Sequence, residues 1–199
     1  MTRYSSTKYQ PEVRVVDYGA GNTGSIVNML ERVGARAVVS EDPKYLAQAQ
    51  LLIIPGVGAF DEAMISLNRL GLVDPIRAAA HGGGTVLGVC LGMQLLMDSS
   101  EEGTIPGIGL IPGACKRFPD RVGELKLKVP HMGWGSLRVL GNSVLIPSLG
   151  SAQHRYYFVH SYYVQPKNET DIVAYSDYGL QFASAVRRNN VFGVQFHPE

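Results

Sequence analysis

The sequence is poor in cysteine: only Cys90 and Cys115 among 199 residues. Two thiols cannot build a disulfide framework, and a reducing cytosol suits them. It also lacks any imbalance of charge. Eighteen Lys and Arg stand against 17 Asp and Glu, a formal net charge of +1, so no basic surface for nucleic acid or membrane is implied. No apolar run reaches the roughly 18 residues of a membrane span. The polar residues 1–12 have no apolar centre like that of a signal peptide. Repeats, low-complexity tracts and linkers are missing as well. These absences lead to the expectation of a soluble cytoplasmic protein.

What is present is an ordinary globular composition, 45% hydrophobic and 18% charged, enough for one substantial core. Residues 1–12 read as a disordered or loosely held lead-in and 13–199 as a single domain. Val13–Asp17 reads as a strand, followed by a tight loop Gly19–Asn22. A helix over Ser25–Val33 has apolar positions Ile26, Met29, Leu30 and Val33, with Gly34 as its stop. Ala35–Val39 is a second strand, Asp42-Pro43 begins a short helix, and Leu51–Ile54 is an apolar run suited to a strand buried on both faces. Helices follow over Asp61–Leu70 and Asp74–His81, then a strand over Val86–Val89. This alternation predicts an α/β fold with a mostly parallel sheet flanked by helices. The later half is strand-rich and predicts an antiparallel extension: Leu125–Val129, Ser136–Leu140, Tyr156–Val159 and Ile172–Tyr175, with a hairpin joining Phe182–Arg187 to Val191–Phe196 across Arg188-Asn189-Asn190.

One pentapeptide stands out, Gly88-Val89-Cys90-Leu91-Gly92, between an apolar strand and a stretch with helical spacing. Glycines on both sides permit a strained strand-to-helix turn that would push the middle side chain out at the sheet edge. A cysteine there sits at a helix N-terminus, which favours the thiolate. The other reading is a buried cysteine at a strand end. The sequence closes on His197-Pro198-Glu199 after another apolar strand. Proline stiffens the turn, and with Cys90 these residues supply a nucleophile, a base and an acid to orient the base. Without Cys90 they would read as a surface turn. Acyl transfer also needs oxyanion donors. The N–H of Leu91 is one source. The loop Pro55-Gly56-Val57-Gly58 is another, although by itself it reads as a plain strand-to-helix turn.

Together, Gly88–Gln94, the Pro55–Gly58 loop and His197-Pro198-Glu199 resemble the class I (triad) glutamine amidotransferases. Three more stretches, Asp17–Asn22 with Ser25, Pro130–Trp134, and Tyr157–Tyr163, resemble within that family the glutaminase subunits of imidazole glycerol phosphate synthases. The resemblance runs from about Val13 to Glu199. It implies hydrolysis of L-glutamine to glutamate and ammonia without a cofactor or metal. Cys90 would attack the amide, His197 shuttle the proton and Glu199 orient His197. Gly56, Val57, Gly58 and Leu91 would hold the oxyanion, with a loop peptide turning to complete the hole. Gln94 and Glu102 match positions that hold the substrate's α-amino and α-carboxylate ends, and Ser161 and Tyr162 match positions lining its pocket.

The resemblance further implies a heterodimer with a (βα)₈-barrel cyclase subunit. That subunit takes up the ammonia and makes imidazole glycerol phosphate and an aminoimidazole ribotide in histidine biosynthesis. Asn22, Ser25, His131, Trp134, Tyr157 and His160 match positions near the subunit interface. From the residues alone, Trp134 reads as core and His131 as a satisfied loop histidine. Amidotransferases of this type also serve surface-polysaccharide synthesis, and other triad amidotransferases, a cysteine hydrolase or a catalytically silent scaffold are the alternatives. A metal site from His131, His160 and His197 has no close-spaced ligand pair behind it. The sequence departs from the family pattern at Gly135, where asparagine is usual, and at Gly82-Gly83-Gly84, which is expected to loosen the sheet. The family pattern also has a lysine and a final helix after Glu199.

Overall fold

The computed structural model describes residues 10–146 and 155–198. Strand and helix alternate through the first half: β1 (Glu12–Val16), α1 (Thr23–Arg32), β2 (Arg36–Ser40), α2 (Pro43–Ala47), β3 (Leu51–Ile54), α3 (Phe60–Arg69), α4 (Val73–His81), β4 (Thr85–Val89) and α5 (Leu91–Leu95). The second half is mostly strands: β5 (Ser99–Ser100), β6 (Gly113–Arg117), β7 (Arg121–Val122), β8 (Leu125–Lys126), β9 (His131–Ser136), β10 (Arg138–Val139), β11 (Arg155–His160), β12 (Tyr162–Pro166), β13 (Ile172–Tyr178), β14 (Leu180–Arg188) and β15 (Val191–Val194).

The local causes of the first-half elements are visible. Asp42 caps α2, its Oδ1 accepting from the Lys44 and Tyr45 amides, and Pro43 fills the first turn, where no N–H is needed. Asn22 caps α1 by accepting from the Ser25 amide. The apolar spacing of α1 turns Ile26 and Leu30 inward.

The central sheet is mixed. Its parallel part runs β2-β1-β3-β4-β15, so the last strand inserts beside β4. From β15 the sheet continues antiparallel through β14 and β12 to β6, with β13 and β10 branching from β14. Both faces are covered. On one, Leu52 and Ile54 meet Phe60, Met64, Leu67 and Ile76 of the helices. On the other, Ile53 meets Ile26 and Leu30 of α1. The alternation inside Leu51–Ile54 therefore feeds two cores, which is why the run carries no polar residue.

The structure departs from the sequence reading in three places, two of them in the antiparallel half. Of Leu125–Val129, only Leu125–Lys126 is strand, paired with β7 in a small separate hairpin. Ser136–Leu140 is not one strand: β9 ends at Ser136, paired to β11, while β10 crosses to β13 in the main sheet. The break is fixed where the Ser176 hydroxyl donates to the Ser136 carbonyl at 2.9 Å. Gly82–Gly84 does not loosen the sheet but closes α4, its three amides donating to the carbonyls of Ala78, Ala80 and Ala79. The β14–β15 hairpin has the expected place, with Arg188 opposite Val191 and Asn189 at φ 55°. Residues 1–9 of the lead-in lie outside the described residues. Among those described, no helix is long and apolar enough to cross a membrane.

Candidate active site

Cys90 sits where β4 turns sharply into α5, at φ 55° and ψ −112°. A side chain in this backbone region is strained, and such strain gathers at functional turns. The flanking glycines are required by contact. A Cβ on Gly92 would run into the Ile54 carbonyl oxygen, and one on Gly88 into the Gly92 backbone. Strand, helix and loop close so tightly here that the cysteine must point away, toward a cavity. Cys90 is itself 5% exposed.

The β15–β4 register sets Val194 beside Val89, and the Cys90 amide donates to the Val194 carbonyl at 2.8 Å. The chain segments leaving these two adjacent strand ends carry Cys90 and His197. The His197 amide in turn donates to the Tyr157 carbonyl at 3.0 Å. Two residues 107 positions apart are thus brought to one edge of the sheet by a single parallel strand pair. Glu199 lies outside the described residues. The second cysteine is a different case: Cys115 is fully buried, its thiol directed at the Gln94 carbonyl, and burial pushes that thiol far up from its ordinary range.

A cavity of about 280 Å³ opens beside Cys90, lined among others by Val57, Gly58, Gln94, Glu102, His160, Ser161 and Tyr162. Both hydrogens of the Gln94 side-chain amide are committed, one to the Tyr162 carbonyl at 2.9 Å and one to Gln195 Oε1 at 3.1 Å. What Gln94 can offer a ligand is therefore its oxygen, an acceptor suited to an ammonium. Glu102 accepts from the Phe60 amide at 2.9 Å. Burial, with Asp61 and Glu62 nearby, raises its carboxyl above the usual range, and the Phe60 bond only partly offsets this.

The loop Pro55–Gly58 lies against the elbow. The Leu91 amide donates to the Gly56 carbonyl at 3.3 Å, so one of the expected oxyanion donors is already paired. Behind the loop the buried Tyr18 hydroxyl donates to the Pro55 carbonyl at 2.6 Å. Burial first, and Cys90 second, push that phenol far up.

The six positions expected near a partner split into two kinds. Trp134 is 66% exposed, correcting its reading as core, and its ring meets that of Tyr157 edge-on with centroids 5.9 Å apart. Asn22 and Ser25 sit near the surface at the start of α1, joined by a 2.6 Å side-chain bond. His131 and His160, by contrast, are buried. His131 lies in β9, not in a loop. His131 Nδ1 and His160 Nε2 are 3.1 Å apart, and His160 Nδ1 is 2.7 Å from the Tyr162 carbonyl. That carbonyl accepts only, so His160 carries its proton on Nδ1 and receives one from His131. Burial lowers His131 to about 4 and His160 to about 3. Both stay neutral around neutral pH.

Two residues here went unread in the sequence. Gln195 is fully buried with its amide at the nucleophile. An amide side chain between Val194 and Phe196 was the available signal. Tyr18 lies in the Asp17–Asn22 stretch that carries the resemblance, but its role had no local sign, because its partner is a backbone carbonyl 37 residues away.

The model of the family described as "Glutamine amidotransferase class-I" matches residues 14–199. The chain is 48% identical over 187 residues to the imidazole glycerol phosphate synthase subunit HisH of Streptococcus sanguinis, covering 93% of this chain and 87% of that protein. It is 48% identical to HisH of Geobacillus thermodenitrificans (94% and 88% covered) and 44% identical to HisH of Moorella thermoacetica (94% and 87% covered). Among solved structures, a glutamine amidotransferase crystal structure superposes with a TM-score of 0.70 at 20% identity, over 94% of this chain and 90% of that one. PurLQS from Thermotoga maritima superposes with the same score and identity, over 96% and 88%. At such identity these two likenesses speak for the fold alone.

Proposed function

Because the chain belongs to the class I glutamine amidotransferases, we propose that it is the glutaminase subunit of an imidazole glycerol phosphate synthase, with Cys90 as its nucleophile. The observation that carries this reading is the site itself. A cysteine on a strained elbow, next to the strand end that leads to His197, opens on a cavity whose lining offers the Glu102 carboxylate and the Gln94 amide oxygen. Near-full-length likeness to HisH subunits narrows the class to this subunit.

The residues divide the work as follows. Glutamine enters with its α-ammonium toward Glu102 and Gln94 Oε1, and with Ser161 and Tyr162 along its flank. His197 takes the Cys90 thiol proton as the sulfur attacks the side-chain amide carbon. The carbonyl electrons move to oxygen, which needs donors at that position. The Leu91 amide supplies one once the Gly56–Val57 peptide turns its carbonyl away, and the turned loop supplies another. His197 protonates the departing nitrogen, ammonia leaves, and a thioester remains. Water, deprotonated by His197, hydrolyses it to glutamate and restores the thiol. Glu199 has the role of orienting His197.

The ammonia goes to a (βα)₈-barrel cyclase docked on the face that bears Trp134, Tyr157 and the start of α1. There it enters the ring closure that gives imidazole glycerol phosphate and the aminoimidazole ribotide of histidine biosynthesis. Replacing Cys90 by Ser tests this directly. In the complex, glutamine-dependent synthesis is lost, while synthesis from added ammonium salt continues on the cyclase. Glutaminase activity that survives Cys90→Ser overturns the assignment.

A further inference from the structure

Gln195 follows β15 directly and is wholly buried. Its backbone is fixed, since its amide donates to the Ser184 carbonyl at 2.9 Å. Val194 and Phe196 on either side join the core on the α1 face of the sheet. Strand alternation turns Gln195 the other way, toward α5. A fully buried carboxamide costs free energy unless its groups are paired, and here both ends are. Oε1 accepts from Gln94 Nε2 at 3.1 Å, and Nε2 lies 3.8 Å from Cys90 Sγ, within reach of an N–H···S bond.

Which end of the amide faces the sulfur follows from hydrogen-bond logic. The Tyr162 backbone carbonyl can only accept, so the atom of Gln94 that meets it at 2.9 Å is its nitrogen. The same nitrogen meets Gln195, so the facing atom of Gln195 is its oxygen. The other end, turned to Cys90, is then the NH₂ group. An unambiguous backbone acceptor thus fixes two amides in series.

We propose that Gln195 is the donor that aligns the Cys90 sulfur for attack, and that through Gln94 it keeps the nucleophile in register with the α-ammonium end of the substrate. The proposal rests on Cys90 being the nucleophile. Donation to an anionic sulfur is stronger than donation to a neutral thiol. Among the described residues, the ionisable side chains lining the cavity besides Cys90 are Glu102, His160 and Tyr162, with the Tyr18 phenol acting on Cys90 from behind the loop. A substitution at Gln195 alters none of them.

The test is alkylation of Cys90 by iodoacetamide across a pH series, in the native chain and in Gln195→Met, a replacement of similar length without donor or acceptor. In the variant the rate at neutral pH falls about tenfold, the scale of one hydrogen bond to a charged group. The kcat for glutamine falls with it, while KM moves less. If Gln195→Met does not fold by circular dichroism, Gln195→Asn serves: its shorter amide cannot span Gln94 and the sulfur together, and the profile moves the same way. An unchanged alkylation profile, with alkylation still abolishing glutaminase activity, overturns the role of Gln195 alone. Alkylation of Cys90 that leaves glutaminase activity intact overturns the nucleophile itself.

Discussion

The amide of Leu91 points at the carbonyl oxygen of Gly56, 3.3 Å away. The amide proposed as an oxyanion donor is therefore paired with the loop proposed to supply the other. In the proposed mechanism, rotation of the Gly56–Val57 peptide frees the Leu91 amide.

Gly56 has no room for a side chain in this arrangement. A Cβ there would lie 2.6 Å from the Tyr18 hydroxyl and 2.9 Å from both the Gly92 nitrogen and the Leu91 Cβ. Gly56→Ala is expected to cost about 1–3 kcal/mol of stability in urea unfolding, the range of an overpacked core, and to lower glutaminase activity in the complex. A variant as stable and as active as the parent would contradict the close packing of loop on elbow.

The buried histidine pair makes stability depend on pH. Folded, burial holds His131 at about 4 and His160 at about 3, against an ordinary value of 6.5. Below about pH 6.5 the unfolded chain binds protons that the native chain refuses, so stability falls as pH falls, by up to about 1.4 kcal/mol per unit for each histidine. That loss runs down to about 4 for His131 and about 3 for His160. Urea unfolding at a series of pH values below neutrality measures the slope. His160→Gln should flatten it, whatever it does to absolute stability.

Glu102 sets a second pH dependence. Its carboxyl is raised by burial, so it takes up a proton at higher pH than an ordinary glutamate and stops attracting an ammonium group. KM for glutamine is expected to climb on acidification from that higher point. Glu102→Gln should raise KM about tenfold or more, as expected for loss of a charge-assisted contact, and abolish the acid-side climb. Steady-state kinetics of the complex report both. A variant that keeps the parent's KM profile would remove Glu102 from the substrate site.

Trp134 spends little on folding. Along β9, Met132, Trp134 and Ser136 face outward while His131 faces the core, and Met132 and Trp134 are 61% and 66% exposed. Exposed aromatic patches of this kind mark docking surfaces. Trp134→Ala should change stability by less than about 0.5 kcal/mol and weaken cyclase binding about 30-fold in calorimetric titration, the size of an interface hot spot. Undiminished binding would move the interface elsewhere.

Legibility in the sequence followed the range of the interactions. The first half was readable because its signals are local: the Asp42 cap, the apolar spacing of α1, the doubly buried run Leu51–Ile54. The elbow was readable for the same reason, since both glycines and the cysteine lie within five consecutive residues. Ser136–Leu140 was not, because nothing within it says that the chain changes sheets there. That is decided by pairing of Ser136 with Arg155 on one side and of Arg138 with Tyr175 on the other. Trp134 was misread as core because hydrophobicity is a one-way guide to burial. His131 was read as satisfied, and it is, yet its partner His160 is 29 residues away.

By itself, then, the sequence determined the α/β framework, the cysteine at the strand-to-helix turn, the histidine at the closing strand and the family these resemble. Backbone turns, caps and periodicity are short-range, and the chemistry of the reacting side chains is intrinsic to them. Only the tertiary structure decided that β15 inserts beside β4, bringing Cys90 and His197 to one edge, that the Leu91 amide is held by Gly56, and that the Gln195 amide faces the sulfur. Those relationships join residues 35 to 107 positions apart. Their geometry is set by strand register and packing of the whole sheet, which no local pattern encodes.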